Sequence, residues 1–284
     1  MADTTHSIEK RFQDQHTVLF KRLTSFLLLI GVLALAGCSD DEQEYVERPV
    51  EELYNEAVDA LQTRDYEAAV RAFDEVDRQH PYSVWATKAQ LMSAYAYYLD
   101  DEYDDAVIAL ERYIDLHPGD PDVAYAYYLR AISYYEQIVD IGRDQRITKL
   151  ALNSLQEVIR RFPETPYSRD SELKIDLALD HLAGKEVAIG RFYQSRDEHL
   201  AAINRFRVVI EQFQTTTHVP EALQRIVESY MALGITEEAQ TAAAVLGHNF
   251  PGSEWYADTY ALVQGKPREA NEEGWLTSLW SWAF

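Results

Sequence analysis

The sequence predicts an all-α protein: a right-handed superhelix of about five helical hairpins, arranged in two lobes. Three observations predict it. From Leu53 onward, apolar residues recur with helical periodicity and no alternating strand segments interrupt them. The chain is aromatic-rich and glycine-poor, with 19 tyrosines and 11 glycines in 284 residues, which suits helices better than a glycine-rich sandwich. A small residue also recurs at a fixed interval before a proline, the mark of an internal repeat.

The N-terminal 38 residues read as an address. Lys21 and Arg22 precede an apolar run from Phe26 to Ala36, a charged region followed by a stretch too short to span a bilayer as an anchor. The run ends in Leu35-Ala36-Gly37-Cys38. That order of charge, apolar run, small residues and cysteine resembles the bacterial lipobox, in which the cysteine is acylated and becomes the new N-terminus. Cys38 is the single cysteine, so no internal disulfide forms, and lipidation is assigned to it. Ser39, rather than Asp, follows it; by resemblance to the sorting rules of Gram-negative bacteria, this favours the outer membrane and its periplasmic face. Residues 1–20 are long and polar for a leader, so translation starting at Met1 or near Val18 both fit. Residues 39–50 are acidic and aperiodic, a solvated tether.

The repeats follow. The prolines Pro81, Pro118, Pro163 and Pro251 close the second helix of their units, and Ala69, Ala106, Ala151 and Ala239 stand at one fixed distance before them. Small residues recur because two helices approach closely there; proline recurs because it lacks an N–H and stops a helix. Phe73, Leu110 and Leu155 supply a bulky partner, and Ala243 departs from the pattern. A further unit keeps Gly190, Tyr193, Ala202 and Phe206 in phase, with Gln214-Thr215-Thr216 in place of the proline turn. The spacing is similar to that of tetratricopeptide (TPR) units. The third unit carries eight extra residues around 139–148, an expected loop. No strong breaker except Gly184 and Gly190 lies between Pro166 and Tyr193, so one long helix is expected to join a front lobe (51–167, three units) to a back lobe (168–264, two units and a capping helix).

The chemistry expected is binding. The net charge of -22, from 48 acids against 26 bases, repels phosphate backbones, so nucleic acid is excluded as a partner. Eight histidines are present, but His80 and His117 occupy the repeat position of Phe162 and Phe250, and the others lack paired ligand spacing. No metal, cofactor or catalytic residue is assigned, and no phosphate loop or nucleophile elbow is found. The first helix of a TPR-type unit lines the concave groove. That places Tyr54, Tyr95, Tyr98, Tyr125, Tyr128 and Tyr135 there, each offering apolar area and a polar tip at low entropy cost; packing between helices is the competing role for each. Residues 265–284 form a tail with three of the five tryptophans. Trp275, Leu276, Leu279 and Trp280 share one helical face, whereas Trp280, Trp282 and Phe284 alternate as in a strand; partner contact, membrane contact and folding back onto the array are all open.

The most specific stretch is Glu186-Val187-Ala188-Ile189-Gly190-Arg191-Phe192-Tyr193 with Ala201-Ala202-Ile203-Asn204-Arg205-Phe206. Tyr125-Ala126-Tyr127-Tyr128-Leu129, Asp144-Gln145-Arg146 and Asn249-Phe250-Pro251-Gly252-Ser253 support it. From residues 50 to 260, the chain resembles the BamD family of the outer-membrane β-barrel assembly machinery. The resemblance implies a front lobe that receives the aromatic-rich C-terminal strand of unfolded outer membrane proteins. It also implies a back lobe that docks on the machinery's β-barrel subunit and on accessory lipoproteins, with Arg205 at the position of a docking arginine; Arg191, at a groove position of the back lobe, is assigned to docking as well. A generic envelope scaffold for cell-wall or division proteins is the alternative. The tryptophan-rich tail does not carry over from the family.

Overall fold

A computed structural model describes residues 47–265; Cys38 and the tail residues Trp275, Trp280, Trp282 and Phe284 lie outside the described residues. Eleven helices make up the described chain: α1 Val50–Gln62, α2 Tyr66–Gln79, α3 Val84–Leu99, α4 Tyr103–Leu116, α5 Val123–Glu136, α6 Arg146–Arg161, α7 Pro166–Gln194, α8 His199–Gln212, α9 Val219–Ala232, α10 Thr236–Asn249 and α11 Glu254–Val263. Each packs on its sequence neighbour. Every odd-numbered helix also touches the next odd-numbered one, and no even-numbered helix touches another. The odd helices therefore form the inner tier of a superhelical array. Among the described residues, no helix is long and apolar enough to cross a membrane.

Local sequence sets each joint. Within four of the five hairpins, the turn is short and one residue enters the left-handed region: Arg64 at φ 63°, Asp101 at 61°, Asp197 at 61° and Gly234 at 75°. At the far end, the second helix stops on a residue with φ near -130° in all five units. These residues are His80, His117, Phe162, Phe213 and Phe250. Proline follows four of them, where its missing N–H does no harm. Two residues after proline, Ser83, Thr165 and Ser253 accept the N–H of Ala86, Ser168 and Tyr256 and cap α3, α7 and α11. One Pro-x-Ser/Thr step thus ends one helix and starts the next.

The repeat alanines Ala69, Ala106, Ala151, Ala202 and Ala239 are fully buried, as are Phe73, Leu110, Leu155 and Phe206. Across each crossing, a small residue on the odd helix faces the bulky one. Ala57, Ala94, Ala131 and Gly190 take this place in the first four units, all buried. In the fifth unit Val227 stands there, and Ala243 stands at the bulky position, so the large member has changed sides. That accounts for the one departure in the repeat pattern. Gly190 is the tightest case: a Cβ there would lie 2.4 Å from Cε1 of Phe206.

The connection expected around 139–148 runs over 137–145, and the expected loop was drawn too far. Residues 146–148 are already helical, with Thr148 buried and its hydroxyl donating to Gln145 Oε1 at 3.0 Å. The long helix α7 spans two of the three buried clusters. Tyr167 and Ile175 pack on the central one, and Ala183 and Val187 belong to the last.

Candidate functional site

Three consecutive inner helices bring tyrosines together. Helix α3 supplies Tyr95 and Tyr98, α5 supplies Tyr125, Tyr128 and Tyr135, and all five are half-buried against the central cluster. Ring centroids run 6.4 Å from Tyr95 to Tyr125, 5.6 Å from Tyr125 to Tyr167, and 5.1 Å from Tyr167 to Tyr128 in a stacked pair. Tyr98 meets Tyr103 at 5.7 Å, and the Lys174 ammonium sits 5.4 Å from the Tyr135 ring centre. Tyr54 lies apart: its neighbours are Phe73 at 5.5 Å and Trp85 at 4.8 Å, in the first cluster.

Two hydroxyls here are anchored by acids. Tyr128 donates to Asp170 Oδ2 at 2.7 Å, and Tyr103 donates to Asp101 Oδ1 at 2.7 Å. Burial, then that hydrogen bond, raises the Tyr128 phenol above its ordinary value. The Asp101 bond, then burial, pushes Tyr103 up to about 12. Burial raises Tyr125 and Tyr98 as well. Tyr98, Tyr103, Tyr125 and Tyr128 are therefore held in the neutral phenol form at physiological pH. The row continues onto α7, where Leu173 and Leu177 are 68% and 60% exposed. A depression of about 510 Å³ adjoins it, lined by Tyr135, Ile138, Ile141, Leu177, His181 and His218 among others. Two leucines left in water one turn apart on an inner helix mark an unfilled apolar contact.

Sequence reading missed Tyr167, which joins Tyr125 to Tyr128. The signal was present: Thr165-Pro166 is a helix start, which puts Tyr167 in the first turn of an inner helix.

The back half has different chemistry. Arg191 donates through Nε to Glu221 Oε1 at 2.6 Å and through Nη2 to Oε2. Arg225 approaches the same carboxylate at 3.4 Å, binds Glu228 at 2.9 Å, and lies over Trp255 at 5.8 Å. Gln194 donates to Glu228 at 3.0 Å. The Glu221 side chain is only 6% exposed whereas Arg191 is 53% exposed, so the acid is the buried anchor and the arginine keeps an open edge. Arg205 pairs with Glu186 at 3.3 Å and is 43% exposed. With Tyr193, Ala201, Asn204 and Val208 it lines a depression of about 290 Å³. The two arginines share no partner: Arg191 is bound to α9 and Arg205 to α7.

The histidines serve the frame. His80 Nε2 meets the Arg48 carbonyl at 2.8 Å, His117 Nε2 meets Gln90 Oε1 at 2.9 Å, and His181 Nε2 donates to the Val139 carbonyl at 2.6 Å. Among the described residues, no three His, Cys, Asp or Glu gather to hold a metal ion.

A TPR-like array of helical hairpins, with an aromatic row on its inner tier, defines a helical repeat protein. The chain belongs to the BamD family, whose description is YfiO, outer membrane lipoprotein, and which matches residues 46–246. It is 50% identical over 234 residues to the outer membrane protein assembly factor BamD of Caulobacter vibrioides, covering 81% of this chain and 77% of that one. It is 48% identical over 244 residues to BamD of Rickettsia prowazekii, covering 86% and 97%. Against the P58(IPK) TPR domain the identity is 16%, covering 76% of this chain and 56% of that one, with a TM-score of 0.39.

Proposed function

We propose that this chain is a non-catalytic scaffold for outer membrane protein assembly, held at the periplasmic face of the outer membrane by lipid on Cys38. In this reading the inner tier of α3, α5 and α7 receives an extended, aromatic-rich segment of an unfolded outer membrane protein. The α7–α9 region docks on a β-barrel subunit through Arg191 and Arg205, with accessory lipoproteins as further partners. Relatives named as outer membrane protein assembly factors, at up to 50% identity, support the general role. The observation that carries the binding mode is the run of Tyr95, Tyr125, Tyr167 and Tyr128 across three inner helices, ending at exposed Leu173 and Leu177. Rings on rigid helices lose little entropy on binding and still leave hydroxyls for a backbone.

The test replaces Tyr95 and Tyr128 together with alanine. A fluorescent peptide carrying alternating aromatic residues should bind the wild type, and the variant should bind at least tenfold more weakly at unchanged helicity. Equal affinity refutes the groove. Detergent extraction and affinity purification check the assembly role: recovery of a β-barrel protein is expected, while recovery of cell-wall enzymes alone favours a generic envelope scaffold. Replacing Cys38 with alanine should abolish palmitate labelling and membrane retention.

A further inference from the structure

The described chain pairs most of its cations. Arg48, Arg71, Arg78, Arg112, Arg130 and Arg161 all hold carboxylates. In a protein with 48 acids against 26 bases, that is expected. It makes one place unusual. Arg143, Arg146 and Lys149 form no ion pair among the described residues, and the Lys185 ammonium binds only the Gly142 carbonyl, at 3.1 Å. Arg143, Lys149 and Lys185 surround one open depression of about 460 Å³ where the 137–145 connection, α6, α7 and α8 meet. Arg146 stands one turn before Lys149, on the same helix face. Asp144 and Glu186 also line the depression; Glu186 is paired with Arg205 and Asp144 accepts the Arg146 backbone N–H, so the three cations still outnumber the acids at the rim.

The position of these charges runs against the helix they sit on. A helix N-terminus is its positive end and favours acids. Helices α1, α2, α4, α9, α10 and α11 each carry Glu or Asp in their first turn. Helices α3, α5, α6, α7 and α8 carry none. Of these, α6 opens with Arg146 and Lys149, and the acid at its N-terminus is Asp144, just before the helix.

From this we infer that the depression is a docking site for an acidic segment of a partner protein. The inference rests on the docking reading of Arg205, and extends it: Val208 lines both this depression and the one holding Arg205, so the two are neighbours. Ile189, Val208 and Phe213 form a half-buried apolar floor beneath the cationic rim, which fits carboxylates interspersed with aliphatic side chains. An anionic bilayer is the poorer occupant. The whole-chain charge of -22 repels an extended negative surface. A few carboxylates within a Debye length, about 8 Å in physiological salt, feel the local cations instead.

The experiment uses the full acylated chain in neutral detergent, and the variant Arg143→Glu/Lys149→Glu. The probe is a fluorescent peptide of alternating glutamate and leucine. The wild type should bind it, with affinity falling several-fold as salt rises through the physiological range. The double variant should bind at least tenfold more weakly while melting no lower than the wild type. Equal binding by both proteins overturns the inference. So does binding of phosphatidylglycerol vesicles, lost in the variant, when the peptide binds neither protein. Arg205→Glu separates this from the underlying reading. If Arg205→Glu abolishes recovery of a β-barrel partner and the double variant leaves it intact, only the cationic site fails. If neither change alters recovery, the docking reading fails as well.

Discussion

Adding one methyl group at Gly190 tests the logic of the whole array. The position lies mid-helix in α7, where glycine is a poor choice: alanine would gain about 0.5–1 kcal/mol from helix preference alone. Against this, the new Cβ would meet Cε1, Cζ and Cδ1 of Phe206 at 2.4, 2.6 and 2.7 Å, where carbon atoms sit best at about 3.5–4.0 Å. Phe206 is fully buried, so its ring cannot swing into water. The ring or the helix must yield by about an ångström, an overpacking penalty of about 1–3 kcal/mol. The penalty wins, and Gly190→Ala should destabilise by about 1–2 kcal/mol, lowering the melting temperature by about 2–8 °C in a chain this size. The fold itself supplies the repair. At the equivalent crossings alanine faces leucine, as Ala94 and Leu110 or Ala131 and Leu155, all fully buried. Gly190→Ala with Phe206→Leu rebuilds that pair. Urea unfolding of both single variants and the double should show favourable coupling of about 1–2 kcal/mol. Strictly additive losses would refute the claim that helix approach at this crossing dictates the glycine.

Four further outcomes are expected. Glu221→Ala removes the buried acid that holds Arg191 and approaches Arg225; because both arginines retain some solvent, the loss should be about 2 kcal/mol rather than the larger values of fully buried pairs, read by urea denaturation. Arg64→Gly relieves a left-handed backbone at an exposed, ion-pair-free turn, and after the entropy of an added glycine should stabilise by about 0.5 kcal/mol. Burial pushes the Asp170 carboxyl up, but hydrogen bonds from Tyr128 and Lys174 outweigh it and hold the group below its ordinary value. A depressed carboxyl contributes stability above its unfolded pKa and loses it as pH falls through the folded value. Tyr128→Phe should therefore raise the Asp170 titration in carboxyl NMR and lower stability at neutral pH, the gap narrowing below about pH 4. Replacing Leu173 and Leu177 together with serine should leave the melting temperature within about 1–2 °C, because both are exposed, while weakening binding of the aromatic peptide.

The array was readable from sequence because its determinants are local and repeated. Proline, the buried alanines and the helical period each recur in phase, and the absence of a breaker after Pro166 fixed α7. What escaped was set by pairs distant in sequence. Phe213 ends α8 as Phe162 ends α6, with closely similar backbone angles, although its unit lacks the closing proline. Tyr54 matches the other groove tyrosines in repeat phase, but Trp85 stands beside it and draws it into the first cluster. Nothing in the sequence near Arg191 announces Glu221, thirty residues on.

The one long connection follows from the same division between inner and outer tiers. A loop over 137–145 at a hairpin turn would ordinarily be the least ordered part of such an array. Here α7 holds it. His181 donates to the Val139 carbonyl and Lys185 to the Gly142 carbonyl. One turn away, Asp180 accepts the backbone N–H and hydroxyl of Thr217 at 3.0 and 2.7 Å. Successive residues of a single helix therefore clamp the loop of the third hairpin and the joint before α9. Gly184 lies between these clamps because a Cβ there would come within 3.0 Å of the His218 ring. The connection lengthens the third hairpin without loosening it, and it brings Arg143 to the rim shared by Lys149 and Lys185. A shorter turn of the kind seen in the other hairpins would close the fold equally well, but would leave that rim without its outermost charge. The insertion thus supplies one of the rim's charges, and shortening it should weaken the binding of acidic segments while sparing the aromatic row on the inner tier.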